Sequence, residues 1–170
     1  MRRFFWFTLG LLACERTPTP QPDPQASAKP AVQRSPHTIQ FKKAPAAQEP
    51  IETLVQRERE EARKSGQHLL VYVGATWCEP CQRFHRAAEE GKLEGQLPPV
   101  RFLEFDLDQD GERLKAAGYR SRLIPLFAVP SPDGRGSGRQ IEGSIKGEGA
   151  VAEITPRLRA LLEGDSAHSP

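Results

Sequence analysis

Cys78 and Cys81 stand three residues apart in the stretch Leu69–Phe84, and a pair so spaced can do thiol chemistry. An apolar run of strand length, Leu69 to Val73, leads through a short turn into Cys78-Glu79-Pro80-Cys81. Pro80 sits where a helix begins, and Phe84, Ala87 and Ala88 continue at helical spacing. Cys78 is thereby expected at a helix N-terminus, where unpaired backbone N–H groups favour a thiolate over a thiol. Cys81 is expected one turn inside, close enough for a disulfide and less open to solvent. Low-pKa cysteines are the nucleophiles of disulfide exchange. Zinc is the alternative for such a pair. His85 would then make a third ligand on the same helix face, with no fourth evident, so a packing or exposed histidine is the expected reading.

The elements that must position this pair can be read on both sides of it. Thr38 to Phe41 alternates briefly, as a short edge strand does. Ile51, Leu54, Val55 and Ala62 share one helix face, with Pro50 in the first turn and Gly66 as a stop. His68–Gly74 reads as a central strand covered on both sides. The cysteine helix should run to about Glu90, where Gly91 can cap it, and Val100–Leu107 reads as a second central strand. A short helix follows, capped by Asp108 or Asp110 and closed by Gly118. Ile124–Val129 is a strand with Pro125 at its entrance. Pro130–Gly134 is a turn, and Arg139–Ile145 is the returning arm. Val151, Ile154, Leu158, Leu161 and Leu162 mark a last helix, which Pro156 either kinks or restarts. This order predicts an α/β fold with a central mixed sheet flanked by helices.

The chain's start differs from the rest. Met1-Arg2-Arg3 is a basic segment, followed by a largely apolar region of ten residues, Phe4 to Ala13. At ~1.5 Å per residue that run spans about half a bilayer core, so it reads as a secretory signal and not as a membrane span. Leu11-Leu12-Ala13-Cys14 resembles the lipobox of bacterial lipoproteins, which implies cleavage before Cys14 and lipidation of it. The alternative is an ordinary signal peptide with a chance cysteine. Residues 14–36 are rich in proline and poor in apolar residues, so they read as an extended, disordered tether. The expected organisation is therefore signal peptide 1–13, tether 14–36, folded domain 37–164 and tail 165–170. Basic residues number 24 and acidic ones 22, and Arg2 and Arg3 lie in the leader. Cleavage leaves the signs balanced, and nothing calls for nucleic acid as a partner.

Trp77-Cys78-Glu79-Pro80-Cys81 at a strand's end, Ile124-Pro125 at the start of another strand, and the hairpin and helix after it resemble the thioredoxin family from about Thr38 to Leu162. The resemblance implies a thioredoxin-like fold. It implies that Cys78 attacks, that Cys81 resolves the resulting mixed disulfide, and that Trp77 shields the pair. The Ile124–Pro125 bond should be cis and face the cysteines, and Gly143 and Ser144 should line the same substrate groove. The partners implied are protein thiols and disulfides and an upstream redox protein, with no cofactor beyond the dithiol.

Two positions depart from the family pattern. Tyr72 stands where many thioredoxins bury an aspartate, and Glu104 where its lysine partner lies. Glu104 is thus a candidate carboxylate for proton transfer with Cys81, the alternative being a solvated side chain. Glu79, between the cysteines, is expected to raise the Cys78 pKa by about half a unit and so to favour a reductase. The leading expectation is a membrane-anchored, extracytoplasmic thiol–disulfide oxidoreductase, facing the periplasm in a Gram-negative cell. The rivals are a binding module with a structural disulfide and a cysteine-based metallochaperone.

Overall fold

The computed structural model describes residues 38–46 and 49–166. The leader, Cys14, the tether and the last four residues lie outside that set. Among the described residues, five strands and four helices follow in the order β1 (Ile39–Lys43), α1 (Ile51–Lys64), β2 (His68–Gly74), α2 (Glu79–Glu89), β3 (Val100–Asp106), α3 (Leu107–Ala116), β4 (Leu126–Pro130), β5 (Gly136–Glu142) and α4 (Ala150–Ser166). The sheet order is β1-β3-β2-β4-β5. β1 and β2 pair with β3 in parallel, whereas β4 is antiparallel to β2 and β5 antiparallel to β4. The result is the expected mixed sheet of a thioredoxin-like α/β fold.

The period of two along β2 divides the core between the sheet's faces. Leu70 and Tyr72 join Phe84, Phe102, Phe127, Ile154, Leu158 and Leu162 on the face covered by α2 and α4. Leu69, Val71 and Val73 join Leu54, Val55, Ala62, Leu103, Phe105 and Leu114 on the face covered by α1 and α3. β2, the strand that delivers the cysteines, is therefore buried on both sides, which explains its unbroken apolar run.

Two local expectations need correction, and an alternative at a third position narrows. α3 is capped by Asp106, not by Asp108 or Asp110. Its Oδ1 accepts the N–H groups of Asp108 (2.8 Å) and Gln109 (3.3 Å), because the chain passes from β3 into the helix with no intervening loop. The returning arm of the hairpin begins three residues earlier than predicted, at Gly136. Gly136 looks like turn material, but it runs against the backbone of Gly118, where a Cβ would come 2.5 Å from the Gly118 oxygen. Of the two readings at Pro156, a restarted helix is excluded: α4 runs as one helix with Pro156 inside it, and Thr155 Oγ1 donates to Val151 O (2.7 Å) just before it.

Candidate active site at the start of the second helix

The pair is built by the junction of β2 and α2. The Cys78 N–H donates to Ala75 O (3.1 Å), which closes the turn after the strand. Cys78 is then the N-cap residue of α2. Its carbonyl accepts from the Gln82 N–H (3.1 Å), and its sulfur accepts from the Cys81 N–H (3.3 Å). Pro80 occupies the first turn, where its missing N–H costs nothing. A disulfide joins Cys78 to Cys81, with their Cα atoms 5.2 Å apart. When the bond is reduced, a thiolate at Cys78 sits on an N–H donor at the positive end of the helix, which is the setting that lowers a thiol pKa. The expected difference in access is absent: Cys78 is 4% exposed and Cys81 3%. Both pack into the core cluster that holds Phe84 and Phe127, with Ile124 against it.

Ile124, the first residue of the predicted groove, packs against the core cluster that holds both cysteines. The Ile124–Pro125 bond is cis, as the resemblance implies. Pro125 O accepts the N–H of Gly143 (2.9 Å), which joins the two predicted groove segments directly. Gly143 has φ +66°, and a Cβ there would meet Leu123 at 2.8 Å, so only glycine lets the loop approach. Ser144 turns its hydroxyl elsewhere, to Ala150 O (3.3 Å) and Glu153 Oε2 (2.8 Å) at the start of α4. It ties down the loop and does not offer that hydroxyl to the groove. Trp77 is 63% exposed, and its Nε1–H donates to Asp108 Oδ2 (2.9 Å). Leu123 (61%) and Ile145 (56%) are the other large exposed apolar side chains among the described residues. Each of the three flanks a predicted site segment. Leu123 and Ile145 are not among the residues the sequence singled out, although each lies within two residues of a predicted groove residue.

Glu79 has partners that the sequence did not indicate. Its Oε1 lies 2.7 Å from Arg83 Nε, and both oxygens reach the Gly147 N–H (3.2 and 3.3 Å). Arg83 first, and then the Gly147 N–H, hold its carboxyl below the usual carboxylate range. Its charge is therefore matched locally, which shortens its reach towards the Cys78 sulfur.

On the other side of α2 a cavity of about 620 Å³ reaches Cys81. Tyr72, His85 and Glu104 line it, along with Lys43, Glu89, Asp106 and Asp110. Glu104 faces Tyr72 directly in the parallel register of β2 and β3. Its carboxylate is half-buried, 2.8 Å from His85 Nε2. The approach lies off the N–H direction, so the two are in ion-pair range without a formed hydrogen bond. The alternative of a solvated Glu104 is thus replaced by a carboxylate under the cysteine helix. Burial, and then the Glu104 charge, push the Tyr72 phenol well above its usual range. The Tyr72 hydroxyl has no hydrogen-bond partner among the described residues. His85 stacks on Phe41, with ring centroids 3.9 Å apart. Among the described residues no group of three His, Cys, Asp or Glu side chains is arranged to hold a metal. Cys14 lies outside the described residues.

Residues 51–132 match the family model described as Thioredoxin-like. Thioredoxin-2 of Pyricularia oryzae is 24% identical over 144 residues, which cover 84% of this chain and 75% of that protein. Among solved structures, thioredoxin of Trichomonas vaginalis is 22% identical with a TM-score of 0.44, covering 75% of this chain and 98% of that one. A mutant thioredoxin of Halobacterium salinarum is 16% identical with a TM-score of 0.46, covering 80% and 97%.

Proposed function

We propose that this thioredoxin-like chain is a thiol–disulfide oxidoreductase that acts on protein disulfides through Cys78 and Cys81. The observation that carries the reading is the Cys78 sulfur, which caps α2 and accepts the Cys81 N–H while joined to Cys81. In the reducing direction the Cys78 thiolate attacks one sulfur of a substrate disulfide, and the other leaves as a thiolate that takes up a proton. Cys81 then loses its proton and attacks the Cys78 sulfur. The Cys78–Cys81 disulfide forms, the second substrate thiolate leaves, and two electrons have passed to the substrate. An upstream dithiol protein returns them. The exposed Trp77, Leu123 and Ile145, with the Ile124–Pro125 backbone and Gly143, suit an extended segment with apolar residues beside its cysteine.

Matching of the Glu79 charge by Arg83 weakens the sequence argument for a reductase, so the direction rests on the potential. Equilibrating the protein with glutathione or dithiothreitol tests both points. A reversible two-electron couple near −270 mV supports a reductase, and one about 100 mV or more higher an oxidase or isomerase. A pair that never equilibrates leaves the binding-module reading.

Glu104 is the carboxylate in this reading that takes the Cys81 proton during resolution, with His85 and the Tyr72 hydroxyl beside it in the cavity. Glu104→Gln is expected to slow release of the mixed disulfide by about tenfold. That is less than the full effect of a sole general base, because the His85 ring lines the same cavity. Rapid-mixing measurement of the resolving step checks this, and an unchanged rate and pH profile removes Glu104 from the chemistry. The leader and Cys14 support a lipid anchor that holds the domain outside the cytoplasm on its proline-rich tether. Metabolic labelling with a fatty acid, lost in Cys14→Ser, is the expected result.

A further inference from the structure

We propose that Glu79 is a positioning residue. Its carboxylate clasps the loop between β5 and α4 to the redox motif and so holds the Ile145 wall of the substrate groove in place. This rests on the oxidoreductase reading above and adds a determinant of which disulfides the site accepts.

The loop over residues 143–149 is anchored at its ends. Gly143 is held by Pro125 O and by Arg157, whose Nη1 donates to Gly143 O (3.0 Å). Ser144 and Ala150 bind it to α4, through the Ser144 hydroxyl and the Ala150 N–H on Gly147 O (3.2 Å). The exposed Ile145 lies between these anchors. Its Cδ1 sits so close over Gly149 that a Cβ there would come within 2.9 Å. The clasp from Glu79 to the Gly147 N–H ties this stretch to the cysteine helix, across 68 residues of sequence. Gly147 has φ +85°, and a Cβ placed on it would meet nothing within 4 Å, so its conformation is free of local crowding and its N–H can turn towards an acceptor. Arg83 Nε also holds the carboxylate, at 2.7 Å from Oε1, and the first turn of α2 is itself a favourable place for a negative charge. A clasp of this kind matters for a peptide that lies along the wall. It matters little for a small disulfide that needs only the sulfur of Cys78.

Two variants separate position from charge. Glu79→Gln removes the charge but keeps an oxygen for the Gly147 N–H, whereas Glu79→Ala removes both. With a disulfide-bonded protein such as insulin as substrate, Glu79→Ala is expected to raise KM about tenfold with kcat unchanged, the factor that one charge-assisted hydrogen bond represents. Glu79→Gln should stay within about threefold of the parent, and both variants should reduce Ellman's reagent at the parent rate. Amide exchange at Gly147 should quicken about tenfold in Glu79→Ala and stay near the parent rate in Glu79→Gln. Equal KM values in all three proteins overturn the proposal, and so does a parallel change in the rate of both variants on Ellman's reagent, in either direction, which would assign Glu79 to the thiol pKa. A parent protein inactive on both substrates would sink the oxidoreductase reading instead. The exchange rates would then decide the clasp by themselves, with equal rates overturning it.

Discussion

Cys78→Ser lowers disulfide turnover by about a thousandfold or more, whereas Cys81→Ser keeps the first attack and stops after one event. A serine hydroxyl is almost wholly protonated at neutral pH, so a helix terminus that favours a thiolate over a thiol cannot make a serine in the place of Cys78 a comparable nucleophile. In Cys81→Ser the attacking sulfur, its N–H donor at position 81 and the core packing around it all remain. What is lost is the internal thiol that displaces the substrate, so a mixed disulfide accumulates and appears as one added substrate mass on a non-reducing gel or in a mass spectrum. The prediction is sharp because burial does not choose between the cysteines, which are 4% and 3% exposed. The choice comes from the cap. The Cys78 sulfur accepts an N–H at the open end of the helix, whereas Cys81 lies one turn inside and faces the cavity with Tyr72 and Glu104. Trapping by Cys78→Ser, with loss of attack in Cys81→Ser, would reverse the assignment.

The parts of the site that are legible in the sequence are those written within a few residues. Cys78, Pro80 and Cys81 after an apolar strand give the cap and the helix start directly, and the continuous run of β2 announces burial on both faces. The caps and edges are harder, for a different reason in each case. Asp106 lies inside what reads as a strand, and its role depends on the strand ending there with no loop. Gly136-Ser137-Gly138 has the composition of a turn and becomes strand because β4 pairs with it and Ala117 O accepts the Gly136 N–H (3.0 Å). Contacts across the chain are not legible. Glu79 reads as a charge beside a sulfur, yet its partners are Arg83 one turn on and Gly147 far along the chain. His85 and Glu104 each stand alone in the sequence. Their contact follows from how α2 crosses β3, which no local pattern specifies.

The second large effect concerns the fold. Gly134→Ala is expected to destabilise the protein by about 4 kcal/mol, lowering Tm by roughly 10–20 °C. Gly134 closes the turn between β4 and β5, with its N–H on Ser131 O (3.0 Å) and its carbonyl accepting the Tyr119 hydroxyl (2.7 Å). Arg135 beside it pairs with Glu52 (2.8 Å) and donates to Ala116 O (2.7 Å), so the turn is fastened to the start of α1 and the end of α3. At φ +80° any side chain is strained, and here a Cβ would come 2.1 Å from Glu52 O. That neighbour is backbone of a packed helix whose Ile51, Leu54 and Val55 are in the core, so it cannot swing aside as a flexible side chain would. The strain of a left-handed alanine and the displacement of α1 therefore add. Gly138→Ala separates them. Gly138 has nearly the same φ, +82°, with nothing within 4 Å of a Cβ, so it should lose only about 1 kcal/mol. Denaturant midpoints at equal m-values read the difference. If the two alanines cost the same, the close approach of the turn to α1 is wrong. If Gly134→Ala costs several times more, the turn is a fastening between the two halves of the sheet's α1 and α3 face, the face opposite the cysteine helix.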